Sequence, residues 1–294
     1  MPVNQQFTHH LEQCFSAFFK EMITIQSLDP LTGSAISQPF LVNTSKGKFF
    51  MKRNAALFGL DFFEKEARGL DMLANAGAMK VARPLFDGKY HQEIYVVMEF
   101  LERGQPQPDF WRNFGSSLAS QHQMTETQYG LDFNNYIGKI PQCNHWHQQW
   151  SDFYAEERIL KLTRRAVDHH LLEPGYASKA ESLCRKLPSL VPEEKPALLH
   201  GDLWNGNFMV WQNGHVAIFD PAPYYGHREM DLAMSSLFGG FEPMFYESYQ
   251  EAFPLQPGFR EREKIHQLYP LLAHLLLFGG HYRKDVETIL ENFG

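Results

Sequence analysis

The chain has 294 residues, 44% hydrophobic and 21% charged, and a net charge of −7 with its 14 histidines neutral. That is long enough for one large domain or two closely packed lobes, and the acidic balance argues against nucleic acid or an anionic membrane as partner. Three distant cysteines (Cys14, Cys143, Cys184) and the absence of a basic, then apolar N-terminal stretch point to a reducing, cytoplasmic setting.

Phe7, Leu11, Phe15 and Phe18 fall at helical spacing and predict an amphipathic helix over residues 2–20. EMITIQ, SAISQPFLVNTS and GKFFMKRN read as short strands, with DPLTGS as a turn. LDFFEKEARGLDMLANAG reads as a helix with Asp61 as its N-cap and Gly77 as its stop. KYHQEIYVVMEFL supplies two more strand runs, and ERGQPQPD is a polar, proline-bearing linker. After it the pattern turns helical: DFWRNFGSSLASQHQ, WSDFYAEERILKLTRRAVDHH, ASKAESLCRKL, DLAMSSLFGGF, PMFYESYQEAF and REREKIHQLYPLLAHLLLF. The late apolar run around Pro270 and His274 is too short to span a bilayer and reads as a core helix. The layout is a sheet-rich lobe over residues 1–102 and a larger helical lobe over 103–294, with a functional cleft between them.

One hairpin interrupts the helical part. LLHGDLWNGNFMVWQNGHVAIFDPA carries Asn213-Gly214, the signature of a two-residue turn, between two strand-like runs. A two-residue loop pairs Gln212 with His215, so partners sum to 427 and Asn207 faces Asp220. An amide oxygen and a carboxylate at the open end of a ribbon suit Mg²⁺, which wants hard oxygen ligands and leaves positions for phosphates. An Asn and an Asp at that place could also simply cap the ladder. Asp202, five residues before Asn207, tips the balance: Asp-x4-Asn followed by a second Asp is the order of a phosphotransfer loop, with DPA standing in place of DFG.

The remaining parts of such a site have candidates. Lys52 ends a strand and Glu66 shares the inward face of the next helix with Phe63, Leu70 and Leu73; a buried carboxylate needs a cation. The turn LTGSAIS, with Gly33 and Ser34, would lie over nucleotide phosphates, although it is not a G-x-G-x-x-G. The backbone of Glu99, Phe100 and Leu101 would meet the adenine of ATP. Only ten residues separate Asp220 from Asp231, which leaves no room for a peptide platform and favours a small acceptor. Trp204 would stack on the apolar face of a sugar or anchor the core. Tyr224, Tyr225, His227, Arg228 and Glu229 bring polar groups nearby, and Asp231 would brace the catalytic loop. A metal hydrolase is disfavoured: no HExxH occurs, and His9/His10, His145/His147 and His169/His170 lack ligand spacing and read as surface or core histidines.

HGDLWNGN, DPAPYYGHREMDLAMSSLFGGF and HLLLFGGHY together resemble the fructosamine kinase (ketosamine-3-kinase) family, and NNYIGKIPQCN with WSDFYAEERI resembles the insert of that family between the lobes. The resemblance covers nearly the whole chain. It implies an α+β, bilobal protein-kinase-like fold, with a small antiparallel-sheet lobe carrying one key helix and a larger helical lobe, close to aminoglycoside and choline phosphotransferases. It also implies ATP- and Mg²⁺-dependent phosphorylation of the sugar C3 hydroxyl of ketosamines, meaning glycated amines or lysines, as a deglycation step. By the same resemblance Asp202 is the base, Asn207 and Asp220 hold the metal, Lys52 and Glu66 orient the phosphates, Trp204 faces the sugar, and His274 lines the acceptor pocket. Tyr225 is placed there as a further substrate contact by position. LTGSAIS departs from members with more glycines and a cysteine in that turn, so a redox-linked dimer is not expected and a monomer is favoured. A related kinase for another small acceptor (aminoglycoside, choline or homoserine) and a catalytically silent nucleotide binder remain as alternatives.

Overall fold

The computed structural model describes residues 5–32, 36–56, 59 and 61–294. Helix α1 (Gln5–Phe19) precedes strands β1 (Ile25–Pro30), β2 (Gln38–Thr44) and β3 (Gly47–Ala55). Helix α2 (Phe62–Ala76) follows, then β4 (Lys80–Val81), β5 (Pro84–Tyr90) and β6 (Glu93–Glu99). Five antiparallel strands form one sheet in the order β1-β2-β3-β6-β5.

The two-residue period of β6 splits its side chains between two cores. Tyr95 and Val97 face α1, where Phe7, Leu11 and Phe15 are buried. Ile94, Val96 and Met98 face α2, where Phe63, Leu70 and Leu73 are buried. Each such side chain contributes roughly 2 kcal/mol on burial. Phe18 belongs to the predicted stripe of α1 but is 47% exposed. Strand β1 starts later than EMITIQ and runs through Asp29-Pro30, which the sequence assigns to a turn. Gly77 ends α2 in the left-handed conformation at φ 71°, as expected. Asp61 sits at the N-cap but makes no capping bond; its carboxylate accepts from the Tyr136 hydroxyl at 3.0 Å and pairs with Lys65.

The helical lobe begins with α3 (Phe110–His122) and the hairpin β7 (Asn135–Ile137)–β8 (Ile140–Gln142). One helical run then holds α4 (Trp150–Phe153), a π-helical turn (Tyr154–Ile159) and α5 (Leu160–Asp168). Helix α6 (Gly175–Leu190) leads to β9 (Ala197–Leu198), β10 (Phe208–Val210), β11 (Val216–Ile218) and β12 (Tyr225–Gly226). Helices α7 (Glu229–Leu237), α8 (Pro243–Ala252), α9 (Phe259–Phe278) and α10 (Arg283–Phe293) follow, and α10 has no counterpart among the helices expected from the sequence. Pro270 lies inside α9 and has no N–H to offer the carbonyl four residues earlier. The Tyr154 hydroxyl compensates, donating to the carbonyls of Ile265 at 2.6 Å and His266 at 3.4 Å. No helix among the described residues is long and apolar enough to cross a membrane.

Two contacts place the site. Strand β4, from the sheet lobe, pairs in parallel with β11 of the hairpin, Lys80 opposite Ala217 and Val81 opposite Ile218. The β7–β8 hairpin reaches the other way: Tyr136 packs on Phe62 of α2 at 4.9 Å between ring centroids.

Candidate active site

The β10–β11 register differs from the expected one. Phe208 opposes Ile218 and Val210 opposes Val216, so partners sum to 426 rather than 427. The cause is a three-residue loop: the Trp211 N–H donates to the His215 carbonyl at 2.8 Å, and the Gly214 N–H to the Trp211 carbonyl at 2.7 Å. Gly214 sits at φ 76°, the left-handed residue that closes such a loop. Asn207 therefore faces Phe219, whose N–H donates to its carbonyl at 3.0 Å, and not Asp220. A one-residue slip normally sends a side chain to the opposite face. Asp220 escapes that outcome because its own backbone is left-handed, at φ 53°, and Asn207 and Asp220 line the same cavity. A non-glycine residue held there is a local strain of the kind found at functional sites.

The catalytic-loop candidate lies between β9 and β10. Asp231 of α7, 1% exposed, braces it: its carboxylate accepts the N–H groups of His200 at 2.7 Å and Gly201 at 2.9 Å, and His122 Nε2 donates at 3.2 Å. Burial works against its charge, yet His122 and His200 hold its carboxyl below the ordinary range. His200 fixes the next link. Its Nε2 donates to the Phe219 carbonyl at 3.1 Å, and its Nδ1 accepts the Asp202 N–H at 3.2 Å. Gly201 has to be glycine: a Cβ there would lie 2.0 Å from the Ala222 carbonyl oxygen, and φ is 82°.

Asp202 is thereby aimed into the cleft. Its Oδ2 accepts from Asn207 Nδ2 at 3.0 Å, and the same Nδ2 donates to the Asp202 carbonyl at 2.8 Å. Its Oδ1 is buried with no hydrogen-bond partner among the described residues. Burial pushes the carboxyl up to about 7; the Asn207 bond opposes this and the charges of Asp220 and Asp231 add to it. A carboxylate near neutrality with a free oxygen is the profile of a general base.

Lys52 of β3 joins the lobes. Its ammonium donates to Glu66 Oε1 at 2.5 Å and also to Asp220 Oδ1. Burial alone would depress the Lys52 pKa, but the Asp220 and Glu66 carboxylates overcome it and raise it. Burial pushes Glu66 upward, with Lys52 opposing. With Asn207 Nδ2 committed to Asp202, its Oδ1 is left for an electrophile. Asn207 Oδ1 and the Asp220 carboxylate form an all-oxygen donor pair in the cavity, which fits Mg²⁺ and not a soft metal.

These groups share one cavity of about 580 Å³. Its walls are Ile36, Ser37, Lys52 and Glu66 from the sheet lobe, Asn135–Gly138 from the β7–β8 hairpin, and Trp204, Phe238, His274, Phe278 and Tyr282 beyond Asp202. Trp204 packs edge-on to Phe238 at 5.6 Å, and its ring covers Gly206, where a Cβ would come within 2.4 Å. His274 donates from Nδ1 to the Pro270 carbonyl at 2.8 Å, its ring packs against Phe238, Phe278 and Tyr282, and burial lowers its pKa.

Other expected contacts lie elsewhere. Tyr225 is not among the residues lining this cavity; its strand β12 pairs with β9, Tyr225 opposite Leu198. Glu99, Phe100 and Leu101 do not line this cavity either; the Glu99 carboxylate is held by Lys80 at 2.7 Å and the Arg83 N–H at 3.1 Å. Gly33 and Ser34 lie outside the described residues.

The residues that sequence reasoning missed form a buried amide relay. Gln142 Nε2 donates to the Ala222 carbonyl at 3.1 Å and to Asn135 Oδ1 at 2.7 Å, and Asn135 Nδ2 donates to the Pro223 carbonyl at 2.8 Å. Tyr269 donates to Gln142 Oε1 at 2.6 Å, and Asn144 joins at Asn135 Oδ1 at 2.8 Å. The relay fixes the segment that follows Asp220. Its signal was present: Asn135 and Gln142 sit symmetrically about Gly138-Lys139, a hairpin pattern with amides at one cross-strand position.

Comparison with known proteins agrees with this geometry. The family model described as fructosamine kinase matches residues 7–293. A Synechocystis protein named "Probable ketoamine kinase" is 36% identical, covering 99% of this chain and 98% of its own. A crystal structure of a candidate fructosamine-3-kinase from Haemophilus somnus superposes with a TM-score of 0.88 at 27% identity, covering 96% of each chain. An aminoglycoside phosphotransferase solved with ADP and hygromycin B shares the fold alone, with a TM-score of 0.60 at 15% identity over 96% of this chain and 98% of that one. The fold is thus α+β and protein-kinase-like, and the chain belongs to the fructosamine kinase family.

Proposed function

We propose that this chain transfers the γ-phosphoryl group of ATP to the sugar C3 hydroxyl of a ketosamine, a fructosamine or ribulosamine adduct of an amine or lysine, as a deglycation step. Asp202 accepts the hydroxyl proton on its free Oδ1. Lys52, oriented by Glu66, contacts the α- and β-phosphates. Asn207 and Asp220 would hold Mg²⁺, whose charge would screen the phosphate oxygens. Trp204 offers an apolar face to the sugar, and His274 Nε2 an acceptor at the far wall. Proximity and charge neutralisation supply most of the rate, as expected for phosphoryl transfer. We place the lobe boundary near residue 102 and the adenine against the backbone of Glu99–Leu101.

The observation that carries this reading is the unpartnered, buried Asp202 Oδ1 in the same cavity as Lys52, Asn207 and Asp220. ATP consumption by the purified protein against glycated and ribosylated lysines, beside aminoglycoside, choline and homoserine controls, tests it. Turnover with ketosamines, and NMR placing the new phosphate on C3, is the expected result. Turnover only with a control acceptor, or none with any, would overturn it.

A further inference from the structure

Outside the cleft, two clusters among the described residues bring histidine and carboxylate ligand atoms within 4.8 Å of one another. In the buried one, His227–Glu229–His266, Arg262 already donates to both Glu229 oxygens. A cation stands where a metal would. The second cluster is half-open, and its one cation, Lys161, sits on Glu157 Oε2 and leaves Oε1 to the histidines.

There Glu157, its side chain only 5% exposed, turns Oε1 toward His145 Nδ1 at 3.1 Å and His147 Nε2 at 3.5 Å. Four-coordinate zinc with bonds of about 2.0–2.1 Å spaces its ligand atoms roughly 3.3 Å apart. The two separations bracket that value. Lys161 donates to the other oxygen, Oε2, at 2.5 Å, which leaves Oε1 as a one-toothed ligand with an outer partner in place. Glu156 adds a second carboxylate from the same π-helical turn. His147 is held rigidly: its N–H and carbonyl both pair with Tyr129 at 2.9 Å, and its ring lies edge-on to Phe153 at 5.9 Å. His145 is 68% exposed, so its ring is free to turn inward. With neutral imidazoles the group carries two negative charges and one positive, a balance suited to a dication.

We propose that His147, Glu156 and Glu157, with His145 as the fourth ligand, bind a divalent transition ion of the zinc type. Sequence spacing hides this site because the two histidines and the two glutamates come from different elements. The ion would staple the strap Cys143–His147 to the helical run, next to Asn144, which anchors the amide relay.

The test is calorimetric titration of the full chain with Zn²⁺ under excess Mg²⁺, which occupies the oxygen-lined cleft, together with Co²⁺ absorption and thermal unfolding. One zinc per chain, tetrahedral-type Co²⁺ bands and a raised Tm are expected. Affinity should fall about ten-fold or more in His147→Ala and in the isosteric Glu157→Gln, and less in His145→Ala, with the zinc-induced rise in Tm lost in the first two. No stoichiometric zinc binding, or binding and Tm gain unchanged in both folded variants, would overturn the proposal.

Discussion

Asp202 and Asp231 are acids of the same loop assembly, one half-buried at its tip and one buried at its base, and they behave oppositely. Asp231 receives two backbone N–H groups and a histidine N–H. Asp202 receives one amide on one oxygen and nothing on the other. Loss of water pushes both carboxyls upward; the number of donors decides which acid stays charged and which is poised to take a proton. The base of the loop is built for stability, and the tip carries the acid proposed to take the proton.

The most direct way to break the comparison is Asp202→Asn. Phosphoryl transfer should fall about 10²–10⁴-fold, while Mg·ATP affinity, measured by calorimetry, stays within a factor of about two. Near-normal turnover would remove Asp202 as the base. Asp231→Asn should instead lower stability by about 3 kcal/mol in denaturant titrations, because it leaves loop N–H groups poorly matched in a dry site. A fall in activity without a fall in stability would merge the two roles.

The pH dependence sharpens the contrast, because the signs are opposite. The folded Asp202 carboxyl keeps its proton to about pH 7, against an ordinary value of 3.8, so between those values the folded state binds more protons and stability falls as pH rises. Asp231 is held below its ordinary value, so its contribution is present at neutral pH and is lost on acidification. Melting curves from pH 4 to 8 should show Asp202→Asn gaining on the parent as pH rises, and kcat/KM of the parent should lose activity below about pH 7. The smallest effect belongs to Gln142→Leu, which leaves the Ala222 carbonyl without its donor: about 1–2 kcal/mol of stability and a several-fold loss of kcat, with KM for ATP unchanged.

Much of the site was legible because its members are ordered along the chain: Lys52, Glu66, Asp202, Asn207 and Asp220 follow one another as a phosphotransfer site requires. The hairpin between them was read one register off. Asn-Gly marks a turn but does not distinguish a two-residue from a three-residue loop, and the positive φ of Asp220 that restores its aim has no sequence signature. Tyr225 lies outside this cavity's lining, and proximity to Asp220 in sequence says nothing about the pairing of β12 with β9. The amide relay and the His147–Glu157 cluster depend on pairings between distant elements, which no periodicity encodes.

The parallel pairing of β4 with β11 has a mechanical consequence. It stitches the strand leading to Asp220 onto the lobe that carries Lys52. The acidic end of the ribbon and the lysine therefore share one backbone frame, so the meeting of Lys52 with Asp220 does not depend on side chains alone to join the lobes.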